Sequence, residues 1–337
     1  MRRLPAEWER QECIQLTWPH PNTDWDSAPG LLHEVEQCYI RIATEIASRE
    51  RLLIVTPEPE AVMNVLQEHL PMESLLRISL LECPTDDTWA RDHGFITVLT
   101  DKGREYLDFR FNGWGGKYPA EQDNAISRHL FDSGLLPEGD YVDCLDFELE
   151  GGSIESDGCG TLLTTARCNL NANRRVGMGR TPEDMRAAVE EVFRQRLGAK
   201  RILWLESGGL EQDDTDGHID TLARLCPNDT IVYGEGDAEM LEELKAFRTG
   251  DGRAYRLVAV PPYYANFLIM NGAVLVPFYE DEKQNEAARK ALQSVFPDRE
   301  IVGIDCRVLL KQNGSLHCCT MQYPVRSNES WVRGNES

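Results

Sequence analysis

Three short segments, far apart in the chain, carry residue types that together can attack and protonate a cationic carbon. Near the C-terminus, Gly314-Ser315-Leu316-His317-Cys318-Cys319-Thr320-Met321 places two adjacent thiols just after a glycine turn. One hundred residues before Cys318, Asp214-Thr215-Asp216-Gly217-His218-Ile219-Asp220 brackets a histidine with carboxylates. Earlier still, Trp89-Ala90-Arg91-Asp92-His93-Gly94 sets an aromatic ring and a carboxylate three residues apart. A thiol becomes a useful nucleophile only beside a base or a positive charge. A histidine among carboxylates gains proton affinity, which suits acid–base work near neutral pH. A carboxylate can accept paired hydrogen bonds from a planar guanidinium, and an aromatic face can wall the same cation.

Each segment also has a plainer reading. Most buried cysteines are small core residues. Ser315–Met321 reads as a strand, so alternation lets only one of Cys318 and Cys319 face a shared cavity, and the spacing does not say which. His317 reads as a packing or backbone group pointing away from Cys318. The two-residue step from His218 to Asp220 puts both on one face of a strand, whereas Asp213 fits a solvated acidic loop. Arg91 reads equally well as an ordinary loop partner of Asp86 or Asp87. Two glycine-rich stretches, Phe111-Asn112-Gly113-Trp114-Gly115-Gly116-Lys117-Tyr118 and Leu149-Glu150-Gly151-Gly152-Ser153, lack the spacing and the Lys-Ser/Thr ending of a phosphate loop. They read as turns that permit close backbone approach, with Glu150 as a carboxylate facing a ligand.

Composition narrows the setting. With 337 residues and 41% hydrophobic content, the chain is globular and long enough for a well-buried core. A net charge of -22 repels nucleic acid and anionic membrane and draws in a small cation. No apolar run reaches the roughly 18 residues of a membrane span. The basic start, Met1-Arg2-Arg3, leads into no apolar stretch of a secretory signal, so a cytoplasmic location is expected. The ten cysteines include no Cys-x-x-Cys pair. Disulfides and zinc are therefore not expected, and neither is a metal or an organic cofactor.

To hold these segments in one place the chain needs a repeated scaffold. A strand–helix–strand–strand pattern recurs. Arg51–Thr56 is a strand, 57–70 a helix with proline and acids in its first turn, and Ile78–Cys83 and Gly94–Thr100 are strands. Near the end, Ala273–Phe278, helix Glu282–Val295, strand Ile301–Ile304 and Ser315–Met321 repeat it. Looser copies run through helix Thr181–Leu197 with Ile202–Leu205 and His218–Leu225, and through Thr230–Tyr233 with helix Ala238–Phe247. A fifth is read around Tyr106–Phe111, Ala125–Leu135 and Thr161–Thr165. Repetition at about 50–60 residues predicts one domain of pseudo-symmetric α/β modules. Polar residues gather between modules, at Asp86–Asp92, Asp213–Asp220 and Gln312–Cys318, where a rigid scaffold would carry function. The domain is expected over 1–325, followed by a polar tail at 326–337.

The ordered set of segments resembles the agmatine deiminase family, grouped with bacterial peptidyl-arginine deiminases among guanidine-modifying enzymes. The resemblance begins at Leu4-Pro5-Ala6-Glu7-Trp8-Glu9 and Thr17-Trp18-Pro19, passes through the tryptophan, glycine and histidine segments above, and ends at Tyr323-Pro324. It implies an α/β pentein fold, a five-bladed α/β propeller with pseudo-five-fold symmetry. It assigns Cys318 as nucleophile, leaving Cys319 at a variable position, with His218 as general acid/base and Asp92 and Asp220 as guanidinium-binding carboxylates. Trp89 and Asp214 match pocket-lining positions, and Glu150 and Trp114 are expected beside the substrate with them. The family commonly follows the cysteine with Ile or Val and later Gln-Gln. Cys319 and Met321-Gln322 stand there instead, so the resemblance does not settle the substrate.

The implied reaction is hydrolytic deimination of a small cationic guanidino substrate, agmatine giving N-carbamoylputrescine and ammonia, through an S-alkylthiouronium on Cys318. Peptidyl-arginine and free arginine are the alternative substrates, and a catalytically silent guanidine binder is the alternative without chemistry. Neither nucleic acid nor membrane is an expected partner, and homo-oligomer formation is left open.

Overall fold

The structure, a computed structural model, describes residues 2–175, 178, 181–210 and 213–326. Of the expected polar tail, residues 327–337 lie outside the described residues. Its strands form five separate small sheets built on one plan. In each, a first strand pairs antiparallel with a second, and a helix crosses over to a third strand parallel to the second. Ile96–Thr100, Gly103–Arg110 and Asp140–Glu148 form one such unit, with helix Glu121–Asp132 as the crossover. Ile154–Ser156, Thr161–Thr165 and Arg201–Leu205 form the next, crossed by helix Pro182–Val192. Ala223–Cys226, Thr230–Gly234 and Arg256–Val260 follow with helix Ala238–Ala246, then Leu268–Met270, Ala273–Phe278 and Glu300–Asp305 with helix Glu282–Val295.

The remaining sheet joins the two ends of the chain. Thr320–Pro324 lies antiparallel to Gln11–Thr17, which runs parallel to Arg51–Thr56 across helix Leu31–Arg49. A second crossover helix, Pro59–His69, adds Ile78–Glu82 as a fourth strand. The expected modules are thus real, but the strand expected to close each belongs elsewhere. Ile96–Thr100 and Thr320–Pro324 each open the neighbouring sheet instead of closing their own.

Local sequence explains these elements. Arg51–Thr56 (RLLIVT) is a nearly continuous apolar run because helices and neighbouring chain bury it on both faces. Helix Glu282–Val295 buries Ala288, Leu292 and Val295 on one stripe, and the Asp281 side chain accepts from the Lys283 and Gln284 N–H groups at its start. Thr181 and Asp184 cap helix Pro182–Val192 reciprocally. Two expected strands are corrected where chemistry was placed on them. His317–Cys319 and Ile219–Thr221 are single 3₁₀ turns, and the strands begin only at Thr320 and Ala223. Side-chain alternation along a strand therefore has no bearing on Cys318 and Cys319, nor on His218 and Asp220.

Candidate active site

The connections between successive sheets carry the polar residues. Between Glu82 and Ile96 lies the short helix Ala90–His93 with Asp92. The link between Glu148 and Ile154 holds Glu150 and the turn Gly151–Ser153, and that between Leu205 and Ala223 holds His218 and Asp220. Asn266 stands between Val260 and Leu268, and Cys318 between Asp305 and Thr320. These links meet. Helix Ala90–His93 packs on the turns Gly151–Ser153 and His317–Cys319, and Gly151–Ser153 packs on Ile219–Thr221. Gly152 shows how tightly. A Cβ there would stand 2.6 Å from His218 Nδ1, 2.9 Å from Asp92 Oδ1 and 3.1 Å from Asp220 Oδ2.

Around that point the groups are arranged for use. The Cys318 thiol donates toward Asn266 Oδ1 at 3.4 Å and lies 3.8 Å from Asp220 Oδ2. Asn266 Oδ1 also accepts from the His317 and Cys318 N–H groups, at 2.9 and 3.3 Å, which fixes the turn. Asp92 accepts from Trp114 Nε1 at 2.9 Å and from the Gly152 N–H at 3.1 Å. Trp114 reaches it from a left-handed backbone position at φ 55°, flanked by Gly113 and Gly115, so the glycine-rich stretch is a device for aiming this indole. His218 Nε2 meets Glu150 Oε2 at 2.9 Å, while Nδ1 makes no hydrogen bond among the described residues and faces Asp92 Oδ1 at 3.5 Å. Asp220 places Oδ2 2.7 Å from His317 Nδ1 and leaves Oδ1 without a hydrogen-bond partner among the described residues. A buried polar atom left free is costly, so these two atoms are held for something outside the resting protein.

Electrostatics fits the same picture. Burial pushes the Cys318 thiol well up, and the charges of Asp220 and Asp92 push it further. Burial works against the charged form of His218, but Asp92, with Cys168 and Glu150, outweighs it and raises the imidazole well above its usual range. Asp92 is raised by burial to about 6, with His218 opposing. Burial would raise Asp220 too, yet the hydrogen bond and charge of His317, with His218 and Arg224, hold it below the ordinary range. The resting pair is thus a neutral thiol and an imidazolium. A cation bound between the carboxylates would remove the charges that suppress the thiolate.

A cavity of about 350 Å³ leads to Cys318 and Asp92. Trp89, Trp114 and Tyr118 form apolar walls, and Asp24, Asp87 and Asp214 supply acids. Trp89 packs so closely on Gly314 that a Cβ there would fall 2.2 Å from the ring. Asp214 Oδ2 accepts from Asn313 Nδ2 at 2.6 Å and from the Tyr118 hydroxyl at 3.1 Å. Lys311, which also lines the cavity, is paired with Glu34, and nearby Lys117 pairs with Asp216 at 2.9 Å.

Cys318, Asp92, Trp89, Trp114 and Asp214 all line this cavity, and His218 and Asp220 abut it through Asp92 and Cys318. Cys319 does not. Its thiol points to the Ser315 carbonyl, in the core with Tyr39 and Cys306. Glu150, expected to face a ligand, faces His218 instead, and Arg174 Nε holds both its oxygens at 2.9 and 2.8 Å. Arg91 pairs with neither Asp86 nor Asp87, whose N–H groups bond the Asp123 carboxylate. His317 is no idle packing group, since its ring bridges Asp220 and Glu7. Asp213 accepts from the Thr215 N–H and hydroxyl and the Gly217 N–H, shaping the loop. Sequence reasoning missed Asn266, Arg174 and Arg224, none of which sits in a recognisable motif. Two trios, Glu150–Cys168–His218 and Glu7–Glu155–His317, are close enough to hold an ion. In each an arginine, Arg174 or Arg224, already occupies the carboxylates, so a metal would meet a fixed positive charge.

The fold and this Cys–His–carboxylate site are those of an amidine-hydrolysing enzyme. Residues 3–324 match the family model described as Porphyromonas-type peptidyl-arginine deiminase, and the chain belongs to that family. It is similar to the crystal structure described as "Putative Arginine Deiminase from Porphyromonas gingivalis", at 46% identity and a TM-score of 0.87, covering 96% of this chain and 98% of that one. A substrate-bound cysteine-to-serine variant of the C. jejuni agmatine deiminase is 33% identical, with a TM-score of 0.84 and 96% of each chain covered. A Pectobacterium atrosepticum protein named "Putative agmatine deiminase" is 30% identical over 96% of this chain and 94% of its own length. A dimethylarginine dimethylaminohydrolase, 13% identical with a TM-score of 0.51, shares the pentein-type α/β fold. No helix among the described residues is long and apolar enough to cross a membrane.

Proposed function

We propose that the chain deiminates agmatine to N-carbamoylputrescine and ammonia, and that the free Asp220 Oδ1 and His218 Nδ1 beside the Cys318 thiol carry the chemistry. Asp92 and Asp220 grip the guanidinium, set its carbon at the Cys318 sulfur and offset the charges that keep the thiol protonated. The thiolate adds to that carbon, and the imidazolium of His218 gives its proton to the departing nitrogen, which leaves as ammonia. Water, deprotonated by His218, then attacks the S-alkylthiouronium. The C–S bond breaks, Cys318 returns, and the carbonyl of the ureido product keeps the water oxygen. Glu150, locked by Arg174, is a positioning residue that holds His218 with Nδ1 toward the substrate.

The lining of the cavity favours an amine over a carboxylate. Asp24, Asp87 and Asp214 line it, while Lys311 and Lys117 are already paired with acids, so the α-carboxylate of free arginine would meet no unpaired cation there among these groups. The same reading makes residues 1–325 one catalytic domain in which the five sheets close into a five-bladed propeller. It also places the protein in the cytoplasm, with no nucleic acid or membrane as partner. Ammonia release measured side by side on agmatine, arginine and an arginyl peptide tests the substrate. Agmatine should be turned over fastest, and equal rates on all three would remove the preference.

A further inference from the structure

A second, smaller cavity of about 60 Å³ lies on the other side of the catalytic carboxylates. One peptide and one ring separate the two. Gly151 lines the small chamber while Gly152 abuts Asp92, His218 and Asp220, and His317 presents Nδ1 to Asp220 but joins Glu7 in the chamber wall. Four side chains lining this chamber carry polar atoms with no hydrogen-bond partner among the described residues: Arg91 Nε and Nη2, Gln11 Oε1, Thr97 Oγ1 and Gln322 Oε1. Arg91 is 4% exposed, and its one hydrogen bond among them runs from Nη1 to Met321 Sδ at 3.6 Å.

A guanidinium buried this deeply normally meets a carboxylate. Here two acids of the chamber wall are taken, because Glu7 and Glu155 both bond Arg224. Nε and Nη2 are the parallel donors of the side-on edge of the guanidinium, the edge that matches two oxygens of a planar anion. The Thr97 hydroxyl can donate a third bond. The surrounding charges bound the ligand. Glu7, Glu155 and Asp220 already supply acids beside Arg91 and Arg224, so the set tolerates one added negative charge better than two. We propose that the chamber binds one small planar monovalent oxyanion of the formate, nitrate or bicarbonate class on the side-on edge of Arg91. At about 10–15 Å³ per water, the chamber has room for such an ion and one or two waters, which would satisfy the Gln11 and Gln322 oxygens.

Binding needs no turnover and is independent of the reaction assigned to Cys318, so Cys318→Ala protein serves equally well. Thermal unfolding is followed while sodium nitrate or sodium formate replaces sodium sulfate at constant ionic strength. The melting temperature should rise and saturate with nitrate and formate, stay flat with sulfate, and lose the rise in Arg91→Gln. If Arg91→Gln does not fold, Thr97→Val should weaken the apparent affinity several-fold. Crystals grown in nitrate decide independently of any variant: planar density on Arg91 Nε and Nη2 is the expected result. Water alone at that edge, or a rise that is linear or unchanged in the variants, would overturn the site.

Discussion

Two buried histidines flank the Asp92 and Asp220 carboxylates, and their surroundings are nearly mirror images. His218 sits between Glu150 and Asp92, with Arg174 behind Glu150; His317 sits between Glu7 and Asp220, with Arg224 behind Glu7. The difference is one nitrogen. Both ring nitrogens of His317 are engaged, at 2.7 Å from Asp220 and 2.8 Å from Glu7, whereas His218 Nδ1 has no hydrogen bond among the described residues. Burial and acidic neighbours are common to both and so cannot mark the proton carrier. A free nitrogen can. In the proposed mechanism His218 exchanges a proton with substrate, and His317 keeps Asp220 charged and oriented.

The largest effect expected lies at the sulfur these histidines serve. Cys318→Ala should lower ammonia release by about 10⁴-fold or more, in line with loss of a nucleophile. The comparison itself is broken or kept by the two histidine variants. His218→Ala should lower kcat by about 10²–10⁴-fold with KM little changed, as for a lost acid–base group. His317→Ala should instead destabilise the fold by about 3–5 kcal/mol, because it strips a partner from the buried Glu7 and Asp220, and should raise KM more than it lowers kcat. Denaturant melts and steady-state kinetics on the same preparations check both. Equal kcat losses in the two variants would erase the distinction.

A pH profile sharpens it further. Guanidinium binding needs Asp92 ionised, and burial raises that carboxyl to about 6. Log kcat/KM should therefore climb with pH up to about 6 and then level. Stability should move the other way across that window. The folded protein holds on to the Asp92 proton above the ordinary carboxylate range, so the contribution of Asp92 is present at low pH and is lost as pH rises through about 6. Asp92→Asn should remove this acid limb along with most activity. The smallest effect belongs to Cys319→Ala, which should leave turnover within about two-fold, since that thiol meets the Ser315 carbonyl and packs in the core beside Tyr39, away from the cavity.

Much of this was legible in the sequence, and the misses have physical causes. Helix Glu282–Val295 and strands Arg51–Thr56, Thr161–Thr165 and Ala273–Phe278 were read with their observed bounds, because an apolar stripe or run decides them locally. Strand Gln11–Thr17 and helix Leu31–Arg49 went unread. The strand is polar at Gln11 and Gln15, which are buried only because the two chain ends pair around them. The one-turn segments His317–Cys319 and Ile219–Thr221 passed for strands, since three residues leave no periodic trace and Asn266 fixes the first from fifty residues away. A thiol, a histidine and carboxylates could be proposed because the motif types announce their chemistry, and the family resemblance then singled out Cys318, His218, Asp92 and Asp220. Which nitrogen of which histidine is free could not, since Glu7, Glu150, Arg174 and Arg224 reach these rings only through the fold.

The account rests most directly on a covalent bond at one of two neighbouring thiols. Protein mixed with agmatine and acid-quenched within a turnover should be digested and its Cys318-Cys319 peptide sequenced by mass spectrometry. The account predicts a mass gain of agmatine less ammonia on Cys318, retained in Cys319→Ala and absent in Cys318→Ala. An adduct on Cys319, or ammonia released by Cys318→Ala at the wild-type rate, would contradict it.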